Sequence, residues 1–163
     1  MQTFMPYTEY FKCAQVLDNK RLGKQRVEAL QIFQILKKRY AWYQTNNPSH
    51  ILNEKGNLIG FLNHPAVLMW EGHSISLMHY IGSMVYEWKR RGFENTIEIP
   101  EPFKNKEFQR PIWSLSLDFQ IAHRSNLIRK FPEHYCKVWP GLRYDIEYIW
   151  PEKKHLRIVN PNK

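Results

Sequence analysis

The stretch from Asp18 to Leu36 carries the strongest helical pattern of the chain and constrains its fold more than any other segment. At about 100° per residue its apolar side chains fall on one narrow stripe. The members of this stripe are Leu22, Ala29, Phe33 and Leu36. Asp18 stands at the N-cap position, where its carboxylate can accept hydrogen bonds from the free amides of the first turn. The sequence therefore predicts a long helix with one buried face near the N-terminus.

The other faces of this helix are strongly charged. Its cations, with one just beyond its end, are Lys20, Arg21, Lys24, Arg26 and Lys37. Glu28 is the single carboxylate in the helix interior. It follows Lys24 by four positions and Arg21 by seven, and residues at these spacings share a face of a helix, so the three side chains should lie side by side. Arg26 is predicted to point toward the apolar stripe. Such a lone carboxylate among cations suits a site for an anionic substrate, and equally a solvated face of ion pairs.

Composition narrows the class of partner. The chain has 163 residues, enough for one domain with a buried core. Its 24 lysines and arginines against 15 acidic residues give a net charge of +9, which predicts an anionic partner, nucleic acid first and a membrane surface second. Aromatic residues make up 15% of the chain, and their mixture with cations suits phosphate contact and base stacking, although most single aromatics should lie in the core.

Several functional classes are disfavoured. Two cysteines, Cys13 and Cys136, are too few for a secreted disulfide scaffold, so we expect a reduced, cytoplasmic protein. No CxxC or HExxH spacing occurs, so we expect neither a metal site nor another cofactor. No signal peptide is visible, and no apolar run approaches the roughly 18 residues that a membrane span requires.

Two further long helices are predicted. The first covers residues 74–91 and ends in Lys89-Arg90-Arg91-Gly92, where cations favour the helix C-terminus and glycine can adopt the left-handed conformation. The second covers residues 118–131 and is ended by Pro132. Shorter helices are predicted at 6–17 and 66–71, with irregular segments at 45–62, 93–116 and 132–141. The predicted fold is therefore mostly α, a single compact domain over 1–163 of three main helices with long irregular loops, ending in a basic tail at 142–163.

Three motifs occur in a characteristic order. They are Arg21-Leu22 through Glu28, Lys89-Arg90-Arg91-Gly92-Phe93, and Phe131-Pro132-Glu133-His134-Tyr135 leading to Trp139. In this order they resemble the pyrimidine-dimer DNA glycosylases of the endonuclease V kind, which are compact, mostly helical domains with an Arg/Glu catalytic helix near the N-terminus. The resemblance spans most of residues 1–140, and the tail after about 142 has no counterpart in it.

The resemblance implies a DNA glycosylase with AP lyase activity. In that family the α-amine of the N-terminal residue attacks C1′ of the sugar, the base leaves and an imine forms. The catalytic Glu then assists sugar opening and proton removal, which leads to strand cleavage by β-elimination. An α-amine suits this chemistry because it is less basic than a lysine side chain, so more of it is free amine near neutrality. The implied partner of a monomeric, DNA-associated enzyme is double-stranded DNA with a damaged or modified base.

Two departures from the family pattern leave parts of the mechanism open. Gln2 is a poor penultimate residue for removal of Met1, so the nucleophile is the Met1 α-amine, a lysine of the central helix, or water. Aligned without gaps, the family's Arg falls on Arg26 and its Glu on Val27, whereas a register shift places the Glu on Glu28. We prefer Glu28 because it is the only acid inside that helix. The predicted catalytic residues are Met1, Glu28, Arg21 and Arg26.

The remaining site predictions concern DNA contacts. Cations would grip phosphates, His and Asn side chains would reach sugar or base, and tryptophans would stack on a flipped base or fill its gap. The predicted DNA-binding residues are Lys20, Lys24, His64, Trp70, His123, Arg124, Asn126, Arg129, Tyr135 and Trp139. Two other functions compete: a non-enzymatic nucleic-acid-binding protein on the same scaffold, and a nucleotide-level N-glycosidic hydrolase or transferase.

Overall fold

The computed structural model describes residues 1–99, 107–151 and 153–162. Six helices occur there: α1 Tyr10–Val16, α2 Asn19–Thr45, α3 Pro65–Leu68, α4 Ser74–Arg90, α5 Leu117–Lys130 and α6 Pro132–Val138. Turns of 3-10 helix lie at Pro48–His50, Ile112–Leu115 and Lys154–Leu156. The described ranges hold no β-strand, and none of their helices is long and apolar enough to cross a membrane. The predicted fold class, with α2, α4 and α5 as main helices, is confirmed.

The central helix α2 begins where its cap predicts. Asp18 Oδ1 accepts hydrogen bonds from the amides of Lys20 and Arg21 at 3.1 and 3.2 Å. The helix continues beyond Leu36 to Thr45, because no glycine or proline lies between these two residues, and ends at Asn46 with φ +51°. The predicted apolar stripe is buried: Leu22 and Ala29 are fully covered, and Phe33 and Leu36 nearly so.

The core forms where α2 packs against α4, and α1 also packs against α4. Gly23 permits this close approach. A Cβ atom at position 23 would lie 3.1 Å from the ring of Trp88, so a larger residue would require the Trp88 ring to shift by a few tenths of an ångström. At its far end α4 stops as predicted, since Gly92 follows with φ +86°.

Three predicted elements differ from the structure. The first helix begins at Tyr10 rather than at Pro6, because residues 2–6 are buried in the interior as a non-helical segment. The helix predicted at 66–71 ends at Leu68. The segment predicted as turns at 132–141 contains α6, since Pro132 occupies the first helical position, where its missing N–H costs nothing. Of the irregular segment predicted at 93–116, residues 100–106 lie outside the described ranges.

The C-terminal tail is packed against the helices. Residues 146–151, which we call the C-terminal strap, run along α5: the amide of Ile146 donates to Ser125 Oγ at 3.0 Å. Further on, Ile158 is buried in a small second core and exchanges two hydrogen bonds with the Asn63 side chain, at 2.8 and 2.9 Å. Arg39, whose side chain is fully buried, donates to the carbonyl of Leu156 at 2.6 Å. The tail therefore forms part of the folded domain.

Candidate active site

The first residues of the chain are threaded into the interior. Gln2, Thr3, Phe4 and Met5 are all buried. Gln25 of α2 binds this segment twice: its Oε1 accepts from the Phe4 amide at 2.8 Å, and its Nε2 donates to the Gln2 carbonyl at 3.0 Å. The Met5 amide donates to His123 Nδ1 at 3.1 Å. Side chains from two helices therefore fix the path of the N-terminus.

This path brings the chain terminus to Glu28. The backbone N–H of Gln2 donates to Glu28 Oε2 at 3.2 Å. Met1, which carries the α-amine, is the residue immediately before Gln2. On the outer side, Lys24 Nζ lies 3.6 Å from Glu28 Oε1. The Glu28 side chain is 19% exposed and that of Lys24 66% exposed. The carboxylate thus stands between the buried N-terminal segment and a solvated cation.

His64 joins this cluster from the start of α3. Burial lowers the pKa of His64, the positive Met1 α-ammonium lowers it further, and the Glu28 carboxylate opposes both effects. His64 Nδ1 accepts a hydrogen bond from the Ala66 amide at 3.1 Å, which caps α3. The imidazole is therefore neutral near pH 7 with its proton on Nε2, which makes Nε2–H a hydrogen-bond donor beside the terminus.

The C-terminal strap adds aromatic side chains that the sequence analysis did not select. Trp150 meets His64 edge to face, with ring centroids 6.2 Å apart. Tyr148 packs on Trp150 at 5.7 Å and on Phe4 at 6.4 Å, and its hydroxyl lies beside the Gln2 side chain. No helical period marks this segment, and the only available signal was its two aromatic residues.

A groove of about 460 Å³ runs along the exposed face of α2 and reaches Glu28. The residues that line it are Asn19, Lys20, Gly23, Lys24, Val27, Glu28, Gln31 and Trp88. Lys20 and Lys24 are exposed, as phosphate contact requires. The predicted combination of Lys24 and Glu28 on one face is present, and this face borders the N-terminal segment.

The two arginines predicted as catalytic are bound elsewhere. Arg21 pairs with Asp18 at 3.0 Å and donates to the Lys130 carbonyl at 2.8 Å, which ties the start of α2 to the end of α5. Arg26 donates to Asn95 at 2.6 Å, and its guanidinium lies 4.1 Å from the ring centroid of Trp88. Burial lowers the pKa of Arg26. Neither guanidinium has a hydrogen bond or ion pair with Glu28 in the described part of the chain.

Four predicted DNA contacts lie in the core. Trp70, His123 and Tyr135 are fully buried, and Trp139 is 9% exposed. Polar atoms of three of them have internal partners: Trp70 Nε1 donates to Thr3 at 2.9 Å, the Tyr135 hydroxyl to Asp18 at 2.7 Å, and Trp139 Nε1 to the Tyr7 hydroxyl at 3.0 Å. His123 accepts from the Met5 amide through Nδ1 at 3.1 Å, while its buried Nε2 has no hydrogen bond within the described residues. These four side chains build the domain in this conformation, so we leave them out of the DNA interface.

The other predicted contacts on α5 also have internal partners. Arg124 donates to the Pro6 carbonyl at 2.8 Å, and its guanidinium lies 4.8 Å from the ring centroid of Tyr7. Asn126 is buried and donates to the Ile146 carbonyl at 3.1 Å. Arg129 is exposed and pairs with Glu147 at 3.1 Å. Of the predicted set, the structure brings Met1, Glu28, His64, Lys20 and Lys24 together.

The described residues contain no group of three or more His, Cys, Asp or Glu side chains placed to hold a metal ion. Comparison with curated proteins and with solved structures gave no match. The sequence model of one protein family, described as pyrimidine dimer DNA glycosylase, matches residues 1–100, which include the N-terminal segment, α2, His64 and α4. The match covers more than half of the chain, and the chain therefore belongs to the pyrimidine dimer DNA glycosylase family, a family of DNA glycosylases.

Proposed function

We propose that this DNA glycosylase removes a damaged or modified base from double-stranded DNA through attack of the Met1 α-amine on C1′, and then cleaves the strand as an AP lyase. One observation carries the proposal: the Gln2 amide is hydrogen-bonded to Glu28 at 3.2 Å, which brings the residue next to Met1 against the only carboxylate inside α2. The electrostatic effect of the same amine on His64 supports this placement.

The proposed reaction has two stages. The neutral Met1 nitrogen forms a bond to C1′, and the C1′–N bond to the base breaks, so that the base leaves with the bonding electrons and gains a proton. The amine loses its remaining protons as the C1′–O4′ bond opens, O4′ gains a proton, and an imine links Met1 to the sugar. Removal of a C2′ proton then expels the 3′ phosphate by β-elimination.

Glu28 is the proton carrier in this scheme. Its carboxylate takes a proton from the attacking amine, returns it to O4′, and later takes the C2′ proton. His64 has a different part, since its neutral Nε2–H donates a hydrogen bond to an oxygen of the sugar or base. The exposed Lys20 and Lys24 hold phosphates along the groove.

The target base must leave the helical stack for C1′ to reach the partly buried Met1, so we propose that the enzyme flips a nucleotide. The groove on α2 would then follow the backbone on one side of the extruded nucleotide. A screen over duplexes with different damaged and modified bases, beginning with a pyrimidine dimer, identifies the base. Free nucleotides in the same screen separate DNA repair from nucleotide-level chemistry.

An uncleaved Gly-Ser extension at the N-terminus tests the nucleophile, because it replaces and displaces the Met1 amine. The extended protein should give no borohydride-trapped imine on an abasic duplex, whereas the same extension at the C-terminus serves as the control. Peptide mapping of the trapped wild-type adduct should place the sugar remnant on residue 1.

Other outcomes assign other chemistry. A remnant on Lys20 or Lys24 would move the nucleophile into α2. Base release without any adduct would indicate a water-using glycosylase in which Glu28 activates the water, the alternative favoured by the poor removal of Met1 before Gln2. Binding of duplex DNA without base release from any substrate would indicate a non-enzymatic nucleic-acid-binding protein on the same scaffold.

A further inference from the structure

The C-terminal strap lies beyond residues 1–100, which the family model matches, yet it contacts residues next to the N-terminus. Its Tyr148 hydroxyl lies beside the Gln2 side chain, and its Trp150 ring contacts His64. Gln2 follows Met1 directly in the chain, and the charge of the Met1 amine acts on His64. The strap therefore contacts the N-terminal site through two separate residues.

Tyr148 presents an unusual polar group. Its hydroxyl is buried and has no hydrogen bond of ordinary geometry within the described residues, and the same holds for the side-chain nitrogen of Gln2 next to it. Buried polar groups without partners are rare, and each calls for an explanation. Catalytic hydrogen bonds are often long or misaligned in a free enzyme and tighten when substrate binds. The Gln2 side-chain nitrogen can donate a hydrogen bond and the Tyr148 hydroxyl oxygen can accept it, so the two groups form a donor and acceptor pair.

The position of Tyr148 is fixed independently of α2. Ile146, two residues earlier, is held by Ser125 at 3.0 Å and by Asn126 at 3.1 Å, both on α5. The ring of Tyr148 packs against His123, with centroids 5.4 Å apart. The Gln2 backbone, in contrast, is held by Glu28 of α2. Gln2 is thus held on its main-chain side by α2 and bordered on its side-chain side by a residue anchored to α5.

We propose that the C-terminal strap positions the reacting amine: Tyr148 acts through Gln2, to whose side-chain amide its hydroxyl hydrogen-bonds in the substrate complex, and Trp150 acts through His64. The inference rests on the proposed function of Met1. A terminal residue has free rotation about its bonds, so its nitrogen needs restraint from more than one direction to stay in line with C1′. Misplacement of a reacting group by about 1 Å can cost roughly 10²-fold in rate.

The test compares Tyr148→Ala, Tyr148→Phe and Trp150→Ala with Tyr144→Ala. Tyr144 precedes the strap and is 64% exposed, so it is a matched control for loss of a tyrosine from the same tail. Two quantities are measured for each protein: the single-turnover rate of imine trapping by borohydride on an abasic duplex, and the Kd for a duplex with a tetrahydrofuran abasic analogue, which cannot form an imine.

Tyr148→Ala should lower the trapping rate by about 10²-fold and Tyr148→Phe, which keeps the ring, by about tenfold, with Kd changed by less than about threefold. Trp150→Ala should lower the rate in the same way, and Tyr144→Ala should match the wild type. This split between rate and affinity would not arise from a general loss of folded protein, which reduces both.

A wild-type trapping rate in Tyr148→Phe overturns the role of the hydroxyl, and this variant decides the question if Tyr148→Ala does not fold. Equal losses of rate and affinity in the Tyr148 variants also overturn it, because they would indicate a structural role alone. Absence of any adduct in the wild type overturns the proposed function and the role of the strap together. An adduct on Met1 with unchanged rates in all variants overturns only the strap.

Discussion

The amide of Gln2 and the carboxylate of Glu28 are joined by a hydrogen bond of 3.2 Å although 26 positions separate them in sequence. This contact closes the N-terminal segment onto the middle of α2. The two carboxylate oxygens of Glu28 have different partners: Oε2 faces Gln2 and Gln25, whereas Oε1 faces Lys24. One carboxylate therefore links the position of the terminus to the DNA-facing surface of the helix.

Replacement of Glu28 by glutamine should separate its effect on catalysis from its effect on DNA binding. Glu28→Gln keeps an acceptor for the Gln2 amide but cannot carry a proton, so base release and strand cleavage should fall by at least about 10²-fold. Affinity for duplex DNA should be kept or should rise, because a negative charge near phosphates is removed. Single-turnover cleavage and equilibrium binding measure the two effects, with exposed Glu54→Gln as control. Near-normal turnover of Glu28→Gln would reject the assignment.

Binding should depend strongly on salt. If several cations along α2 contact phosphates, affinity for a short duplex should fall by roughly 10²-fold or more between about 50 and 200 mM salt as counterions are released. Lys20→Ala and Lys24→Ala should each reduce the slope of log Kd against log salt by about one. Lys55→Ala, on an exposed loop away from α2, is the control. A flat salt response in the wild type would assign the net positive charge another use.

The buried His123 should make the fold sensitive to mild acid. Burial lowers the pKa of His123 to about 3, and its ring neighbours Phe4, Phe119 and Tyr148 carry no charge at neutral pH. The unfolded chain, with an ordinary histidine pKa near 6.5, binds more protons between these two values. The free energy of unfolding is therefore highest above pH 6.5 and falls as the pH drops from 6.5 toward 3.

His123→Asn keeps an acceptor for the Met5 amide and removes the titration. Between pH 6.5 and 5 the wild type should lose about 2 kcal/mol more unfolding free energy than this variant, as urea denaturation measures. Between pH 7 and 8 the two proteins should show the same pH dependence. Parallel curves through the acid range would show that His123 is protonated in the folded protein.

Arg39 should be a large determinant of stability. Its side chain is fully buried, pairs with Glu71 and donates to the carbonyls of Leu62 and Leu156 at 3.0 and 2.6 Å. Arg39→Met leaves the Glu71 charge and the Leu62 carbonyl without their Arg39 partner and should cost about 3–5 kcal/mol. Urea denaturation measures this loss, and Arg143→Met, which breaks the exposed pair with Asp145, should change stability little. An equally mild effect at both sites would contradict the role of Arg39.

The predictable part of the fold was the part that rests on local rules. The Asp18 cap, the buried stripe of α2 and the glycine after α4 all depend on residues within a few positions of each other. The helix α6 was missed because Pro132 was read as a stop, although proline equally suits a first helical position.

The partners of individual side chains were far less predictable, because they come from distant segments. Arg21 and Arg26 fit an anion site on pattern alone, yet Lys130 and Asn95 occupy them. The proximity of His64 to Met1, and of Tyr148 to Gln2, depends on how α3 and the C-terminal strap pack, which no local spacing encodes. Exposed and buried aromatic residues were likewise indistinguishable, as Trp70 shows.

Several arginines donate hydrogen bonds to backbone carbonyls of other segments. They are Arg21, Arg39, Arg91, Arg110 and Arg124. The exposed Lys20 and Lys24 on α2 stay available to an external anion. An alanine scan of these arginines would therefore confuse weakened folding with weakened binding. Lysine-selective acylation, with and without bound duplex, would instead map the DNA footprint on a protein in which the arginine hydrogen bonds to backbone carbonyls remain intact.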